Sequence, residues 1–360
     1  MIGLTMAFDG WVRVGSFAVG FLGVVAFFQS ILRVALLNRR QRDWLATQIG
    51  NVISVGFKHL ARRRRDYDDV QKTMDWAFPT YNLTLVAAWF FLVQTSFALM
   101  IWALDIDRAW LKAFIASGSA LSTLGFATPS NPVGQLLGVL EGAVGLGLVV
   151  FLFTFIPGYR SAVEVREDMV GWLYARVGAR PTAFSLVEWC RIADQSEDMT
   201  PIWAAGESWF RNLLETHSRT PLLALVPSVH SGRTWIGAAA AILDATSFTL
   251  SSQKAKGLES ARLCHAAGVD ALRLIARELP SAMNVDVAAS GDIGNLVAAF
   301  DVEYEKFVAA GLSMKPDRDE CRRNFLNHRS IYEGLVRNIA RAMLMPINEP
   351  WVFPHAKSTD

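Results

Sequence analysis

One short segment sets the organisation of the chain, and it reads Ser122-Thr123-Leu124-Gly125-Phe126-Ala127-Thr128-Pro129. The segment is too polar to cross a bilayer and too apolar to be an ordinary surface loop. The preceding residues, Trp110–Leu121, have the composition of a short apolar helix. Longer apolar runs lie before this short helix and after the Ser122–Pro129 segment. The order of span, short helix, loop and span predicts a re-entrant loop held between two membrane-spanning helices.

This order resembles the pore module of the tetrameric potassium-channel superfamily, in which the loop reads Thr-Val-Gly-Tyr-Gly. In that family the backbone carbonyls of the loop replace the water shell of the ion. The resemblance covers about residues 79–159. It implies a selectivity filter built from Thr123, Leu124, Gly125, Phe126 and Ala127. It also implies a homotetramer, because four loops must surround one axis, and K⁺ ions in the filter with no other cofactor or metal.

Each filter position carries its own physical demand. Glycine tolerates the unusual φ values that aim successive carbonyls at one axis, and Gly125 supplies one such position. Thr123 offers a hydroxyl as a further oxygen ligand, and Phe126 stands where the family has an aromatic wedge against the pore helix. Ala127 departs from the family, which has a second glycine there. A Cβ in a left-handed conformation costs about 1–2 kcal/mol, so Ala127 is expected to bear strain or to turn its carbonyl away.

Composition places this module in a chain of two parts. Hydrophobic residues make up 52% of the chain and charged residues 19%. These values predict a membrane portion joined to a sizeable soluble portion. Cys190, Cys264 and Cys321 all follow the last apolar run, and an odd, scattered set of cysteines predicts reduced thiols in a cytosolic domain.

Three apolar runs are long enough to span a bilayer, namely Val14–Leu32, Thr80–Leu104 and Val133–Ile156. Basic residues are concentrated between the first two runs, and by the positive-inside rule this loop is cytoplasmic. The N-terminus is then outside and the C-terminal region is cytoplasmic, in a multi-pass protein of the plasma membrane (the inner membrane of a bacterium).

Two features of the basic loop have alternative interpretations. The run Arg62–Arg65 is either a topology anchor or a contact for anionic membrane lipids. The segment Trp44–Leu60 has helical spacing of its apolar residues. It is expected to lie on the inner leaflet, to pack under the pore, or to dock on the C-terminal domain.

The third span carries glycines that suggest packing and bending. Gly134, Gly138 and Gly142 recur every four residues and form a smooth face for another helix. The resemblance places a gating hinge at Gly145, although a purely packing glycine is an equal alternative. Pro157 and Gly158 mark a break or swivel at the end of the span, through which the C-terminal region would gate the pore.

Glu141 is an ionisable residue in the middle of the third span, where such residues are rare and paired. Its neighbours in the sequence place it behind the short helix, where it would support the filter together with Ser122. The candidate partners are Ser117, Ser119, Ser122 and Lys112. The alternative is a ring of four carboxylates that lines the water-filled cavity.

The C-terminal region has a helical pattern throughout, predicted at Val163–Val177, Thr182–Ala193, Pro201–Thr216, Trp235–Leu250, Gly257–Arg277, Asn295–Ala310 and Pro316–Met345. Leu222–Val229 and Trp235–Leu243 are too short for spans and are expected to be buried core helices. The sequence has no glycine-rich phosphate loop, no zinc-type spacing and no nucleophile–base pair. We therefore expect no enzyme and no nucleic-acid partner, and a regulatory ligand whose identity the sequence does not give.

These expectations define an all-α membrane protein with four parts: a first transmembrane helix (1–37), a basic cytoplasmic linker with an amphipathic helix (38–78), the pore module (79–159) and a helical cytoplasmic domain (160–360). The leading function is a tetrameric, potassium-conducting cation channel gated by that domain. A weakly selective monovalent cation channel and a non-conducting membrane receptor on a channel scaffold are the alternatives. A transporter subunit built from pore repeats is disfavoured, because the chain has a single pore loop.

Overall fold

The structure is a computed structural model, and it describes residues 2–35, 43–64, 67–104, 109–178, 181–194, 198–230, 232–254, 256–279 and 293–345. Within these ranges the chain is helical and has no β-strand. Its one β-type contact there is an isolated antiparallel bridge between Gln253 and Met314. The predicted all-α fold class is confirmed. The sequence also predicts a short outer loop around Asp105 and a turn that begins at Ser290, and both residues lie outside the described ranges.

In chain order the helices are α1 (Ile2–Ala35), α2 (Trp44–Ala61), α3 (Tyr67–Asp75), α4 (Ala77–Leu104), α5 (Trp110–Leu121), α6 (Pro132–Val177), α7 (Ala183–Asp194), α8 (Thr200–Arg219), α9 (Trp235–Ser252), α10 (Leu258–Glu278), α11 (Ile293–Ala309), α12 (Arg318–Ser330) and α13 (Glu333–Ala342). A short 3₁₀ turn, Pro221–Leu225, follows α8. The helices predicted at Trp44–Leu60 and Trp110–Leu121 are therefore present, the second with the bounds expected.

Three segments are long and apolar enough to cross a membrane, namely Gly10–Val34, Asp69–Leu104 and Pro132–Val177. They correspond to the three predicted spans. The helix is not broken at Pro157 and Gly158, because α6 continues through both as one helix of 46 residues. A proline removes one hydrogen bond from a helix, but the neighbouring bonds of a long helix keep it continuous.

The chain divides into two compact units. The first unit comprises Met1–Gly50 and Pro79–Arg160, and the second comprises Asn51–Phe78 and Ser161–Asp360. The core of the first unit combines side chains of α1, α4, α5 and α6, namely Phe27, Leu85, Trp89, Val93, Phe97, Leu121 and Leu148. The Trp89 indole N–H donates to Ser30 Oγ at 2.9 Å, and Ser30 donates to the Asp43 carboxylate at 3.0 Å. Asp43 in turn accepts from the N–H of Ala46 at 2.8 Å and so caps α2.

The second unit is built around α9, in which every residue except Leu250 is buried. Two predictions in this unit are wrong. The helix predicted at Pro316–Met345 is two helices, α12 and α13, separated at Ile331 and Tyr332. The core helix predicted at Leu222–Val229 is only the buried 3₁₀ turn and a non-helical segment after it. The three cysteines are buried and free, as expected.

A buried arginine holds the segment after the 3₁₀ turn. Arg166 on α6 has a fully buried side chain, and its guanidinium donates to the carbonyl oxygens of Leu223, Val226 and Pro227 at 3.0–3.1 Å. It also pairs with Glu167 at 2.7 Å. The segment therefore satisfies its backbone acceptors through one side chain instead of through a helix, which explains why it is buried without being helical.

Candidate functional site

The loop after α5 begins as a helix cap. Ser122 is the last residue with helical geometry, and Thr123 follows with a φ of +59°. The N–H of Thr123 donates to the Ala120 carbonyl at 2.9 Å, and the N–H of Leu124 donates to the Ser119 carbonyl at 3.0 Å. This pair of bonds around a left-handed residue is the Schellman arrangement that ends many helices. The usual residue at the left-handed position is glycine, so a β-branched threonine there is an uncommon choice.

A second left-handed residue lies two positions further on. Gly125 has a φ of +69°, so left-handed φ values recur at alternate positions of the loop. Its N–H also donates to the Ser119 carbonyl, at 3.2 Å. The conformational freedom predicted for Gly125 is therefore used by the fold.

Ser119 holds the loop from behind with both of its oxygens. Its side chain is fully buried, and its carbonyl accepts from the two N–H groups of Leu124 and Gly125. Its hydroxyl oxygen accepts from the N–H of Ala127 at 3.0 Å. One residue of α5 thus fixes three main-chain groups of a loop that has no regular secondary structure of its own.

The main-chain hydrogen bonds of the loop are one-sided. Four of its N–H groups, those of Thr123, Leu124, Gly125 and Ala127, are bonded to groups of α5. Within the described part of the chain, by contrast, no hydrogen bond is made to the carbonyl oxygens of residues 123–127. Native backbone acceptors normally have a partner, whether protein, water or ligand. A run of free carbonyl oxygens is therefore available to an occupant outside the single chain.

The side chains of the loop are largely uncovered in the single chain. Leu124 is 71% exposed and Phe126 is 70% exposed, and Thr123 is exposed as well. The expectation that Phe126 wedges against the helix before the loop is not met within one chain. These exposed apolar side chains leave a surface beside the carbonyl oxygens that another molecule can cover.

Of the two outcomes expected at Ala127, left-handed strain is excluded, and a carbonyl turned away from the axis stays a prediction. Among the described residues, the non-glycine residues with positive φ are Thr123 and Leu344. Ala127 keeps an ordinary φ because the Ser119 hydroxyl bonds its N–H in a conformation that an alanine adopts easily. The non-glycine residue of the loop with a left-handed φ is Thr123, at the helix end.

Ser122 does not contact the loop in the way expected of a filter support. Its side chain is exposed, and its hydroxyl donates back to the Gly118 carbonyl at 2.6 Å within the last turn of α5. The supporting hydroxyl is that of Ser119, three residues earlier. Because helical residues three apart lie on one face, a sequence-based choice between the two serines depends on knowing where α5 ends.

Glu141 lies behind α5. It is fully buried, and its Oε1 is 2.5 Å from the hydroxyl of Ser117, one of the four candidate partners. The Ser117 hydroxyl is also 2.8 Å from the Gln94 carbonyl of α4. Glu141 Oε2 has no hydrogen-bond partner among the described residues. The carboxyl group thus joins α5 to α6 through Ser117, while its role towards the filter stays a prediction.

The glycine face of α6 packs against the end of α5. A Cβ at Gly138 or Gly142 would contact Ala120, at 3.7 Å from its Cβ and 3.3 Å from its carbonyl oxygen respectively. A Cβ at Gly145 would overlap the Leu121 carbonyl. These glycines allow the two backbones to approach closely, so the structure gives Gly145 a packing role. The hinge roles of Gly145, Pro157 and Gly158 stay predictions, and α6 is continuous through all three.

Sequence reasoning missed two contacts of this site. Ser119 was one of four candidate partners of Glu141, but nothing in the spacing showed that it bonds the loop. Gln94 lies on α4, and its side-chain amide donates to the Phe114 carbonyl at 3.4 Å. The main-chain carbonyl oxygen of Gln94 is in hydrogen-bond contact with the Ser117 hydroxyl. A polar residue within an apolar span is the one sequence feature that could have marked Gln94.

Three features of this loop bear on its function. They are the left-handed φ values at Thr123 and Gly125, the N–H groups that are hydrogen-bonded to Ser119, and the carbonyl oxygens of residues 123–127 that accept no bond in the described part of the chain. No protein-family model, curated protein or solved structure matches this chain. The resemblance to the potassium-channel pore therefore stands on the residues of the loop and of its flanking helices.

Proposed function

We propose that the chain forms a homotetrameric cation channel that conducts K⁺. In this proposal α5 is the pore helix, residues 123–127 form the selectivity filter, and α6 is the inner helix. The N-terminus lies outside the cell and residues 160–360 lie in the cytoplasm of a bacterial-type cell. Three helices apolar enough to cross a membrane support the membrane placement.

The observation that carries the proposal is the one-sided bonding of the loop. The N–H groups of Thr123, Leu124, Gly125 and Ala127 are held by α5, and the carbonyl oxygens of the same loop are free in the described single chain. A dehydrated cation needs several oxygen ligands at once, and carbonyl oxygens supply them in channel filters. One chain offers one short row of oxygens, so an enclosed site needs several copies around an axis.

Electrostatics favour the same occupant. α5 ends directly before the loop, and the C-terminal end of a helix carries about half a negative charge. A cation next to Ser122 and Thr123 therefore gains from this field, and an anion is repelled. The fully buried Glu141 behind α5 is consistent with support from inside the protein, because its contact is with Ser117 and not with solvent.

Ion flux through the purified protein in liposomes tests the proposal. We expect K⁺-driven flux, and we expect Gly125→Ala to reduce it about five- to thirtyfold. A Cβ at a left-handed φ costs about 1–2 kcal/mol and shifts the loop towards other conformations by that factor. Space is not the cause, since nothing lies within 4 Å of that Cβ.

Gly147→Ala is the matched control, because Gly147 also has open space around it but has no positive φ. We expect its flux to equal that of the wild type. Images of the solubilised particle are the second test, and fourfold symmetry with density along the axis is the expected result. A particle without fourfold symmetry, or a tetramer without flux, would overturn the proposal, and the second outcome would favour the non-conducting receptor.

A further inference from the structure

A single serine hydroxyl lies between two other oxygen atoms inside the first unit. Ser117 Oγ on α5 is 2.8 Å from the main-chain carbonyl oxygen of Gln94 on α4 and 2.5 Å from Oε1 of Glu141 on α6. All three residues belong to the first unit. Both distances are within the range of O–H···O hydrogen bonds, so each contact needs a proton between its two oxygens.

The protons in these two contacts can be counted. A serine hydroxyl has one proton to donate, whereas a main-chain carbonyl oxygen and an ionised carboxylate only accept. If Glu141 were ionised, the one proton of Ser117 would have to serve two acceptors. One proton cannot point along both contacts, and hydrogen bonds weaken steeply away from linearity. A protonated Glu141 supplies the missing proton, because a carboxylic acid has an O–H group that donates.

The surroundings of Glu141 do not compensate a negative charge. Its side chain has no exposed surface, and its second oxygen, Oε2, has no hydrogen-bond partner among the described residues. Within the same ranges, no basic side chain forms an ion pair with it. A buried charge without a counter-charge is far costlier than a buried neutral acid, and an uncompensated carboxyl group usually takes up a proton.

We propose that the fold holds Glu141 as a neutral carboxylic acid. Its proton is on Oε1 and is donated to Ser117 Oγ, and Ser117 donates its own proton to the Gln94 carbonyl oxygen. The result is a directed chain of hydrogen bonds that runs from α6 through α5 to α4. The inference concerns the protonation state of Glu141, and it stands whether or not the chain conducts K⁺.

This chain of bonds makes Glu141 a positioning residue for α5. Ser117 and Ser119 are two residues apart on that helix, and Ser119 is the residue that holds the loop. The side-chain amide of Gln94 adds a second bond between α4 and α5, since it donates to the Phe114 carbonyl at 3.4 Å. Glu141 therefore acts on the loop through the placement of α5 and not by contact with it.

The inference separates the two roles that the sequence leaves open for Glu141. A neutral acid can support the helix before the loop, whereas a ring of four carboxylates needs charge and contact with the water of the cavity. Glu141 has no exposed surface in the single chain, and contacts with further copies cannot expose it. If the chain forms the proposed tetramer, it holds four neutral acids behind its pore helices and no ring of charge.

Infrared spectroscopy of the full-length protein at neutral pH tests the inference without any need for ion flux. The C=O stretch of a carboxylic acid absorbs apart from ionised carboxylates and from the peptide backbone. We expect an acid band, with the intensity of one group per chain, that Glu141→Gln removes. Asp244→Asn is the matched control, because Asp244 is a second acidic side chain with no exposed surface, and it should keep this band. A wild type without an acid band, or a Glu141→Gln protein that keeps the whole band, would overturn the inference.

Ser117→Ala provides a second variant in case Glu141→Gln does not fold. It keeps the carboxyl group and removes the oxygen that accepts the proton of Glu141. Since the C=O frequency of a carboxylic acid depends on the hydrogen bond that its O–H makes, we expect the acid band to remain and to move. An acid band that does not move in Ser117→Ala would contradict the assignment of Ser117 as the acceptor.

Thermal unfolding of Glu141→Gln gives an independent measurement. A glutamine has the shape of a neutral glutamic acid and likewise offers both a donor and an acceptor, so its N–H can donate to Ser117 in place of the acid. We expect the unfolding temperature to stay within about 2 °C of the wild type. A clear rise would show that the substitution had removed a buried charge, and it would refute the neutral acid.

Discussion

Replacement of Ser119 by alanine removes the hydroxyl that accepts from the Ala127 N–H at 3.0 Å and leaves the α5 backbone in place. The two bonds to the Ser119 carbonyl remain, so the change isolates one contact between helix and loop. Leaving a buried donor without a partner costs about 1–3 kcal/mol. Ala127 is only half-buried, so we expect about 1–2 kcal/mol, which lowers the ratio of ordered to disordered loop about five- to thirtyfold.

Reversal potentials in mixed K⁺ and Na⁺ solutions are the assay, with K⁺ flux measured alongside. If Ser119 positions the filter, Ser119→Ala should lower the K⁺/Na⁺ permeability ratio as well as the flux, because a loosened loop no longer holds its oxygens at one spacing. Ser122→Ala is the matched control, since the exposed hydroxyl of Ser122 bonds only within α5. An unchanged permeability ratio in Ser119→Ala, or an equal loss in both variants, would refute the assignment.

Three further changes test other parts of the fold. Gly145→Ala places a Cβ against the last carbonyl of α5 and should lower the free energy of unfolding by about 1–3 kcal/mol, measured by thermal unfolding. Gly147→Ala, the control, should be neutral or stabilising. Equal effects of the two changes would contradict the packing role of Gly145. Arg166→Met leaves buried carbonyl oxygens unpaired and should cost about 3–5 kcal/mol in denaturant titrations, whereas Arg191→Met, at a partly exposed ion pair, should cost much less. Burial holds the pKa of His217 well below its usual value, so the unfolded chain binds a proton there that the folded chain does not, and stability should fall as the pH drops below about 6.5. His217→Phe should flatten this fall by about 1.4 kcal/mol per pH unit, and an unaltered acid slope would show that His217 is not its source.

The helices were the most predictable part of the fold, because hydrophobic periodicity and run length report them directly. The short helix Trp110–Leu121 and the helix beginning at Trp44 match their predicted positions to within one residue. The helix break at Pro157 was mispredicted because it was inferred from the Pro-Gly pair alone, although a helix of 46 residues continues through it. Tertiary context decides whether a proline ends a helix, and the sequence holds no direct record of that context.

The candidate site was predictable in its location but not in its bonding. The loop and the contact of Glu141 with the short helix could be derived from apolar runs and from the cost of a carboxyl group in a span. Ser119 and Ser122 are one helical turn apart on α5, and the sequence does not show which of the two hydroxyls bonds the loop. The left-handed φ of Thr123 was not predicted for the same reason, because the residue at which a helix ends decides which residue takes the cap position.

Thr123 serves both as the cap of α5 and as the first residue of the loop, and these two duties favour different amino acids. A β-branched residue with a φ of +59° is costlier to the fold than glycine would be, by about 1–2 kcal/mol. Thr123→Gly should therefore make the protein more stable while deleting the hydroxyl oxygen at the mouth of the loop. Under the proposed channel function, stability and ion conduction therefore favour different residues at position 123, and selection for heat resistance alone would favour glycine there at the expense of conduction.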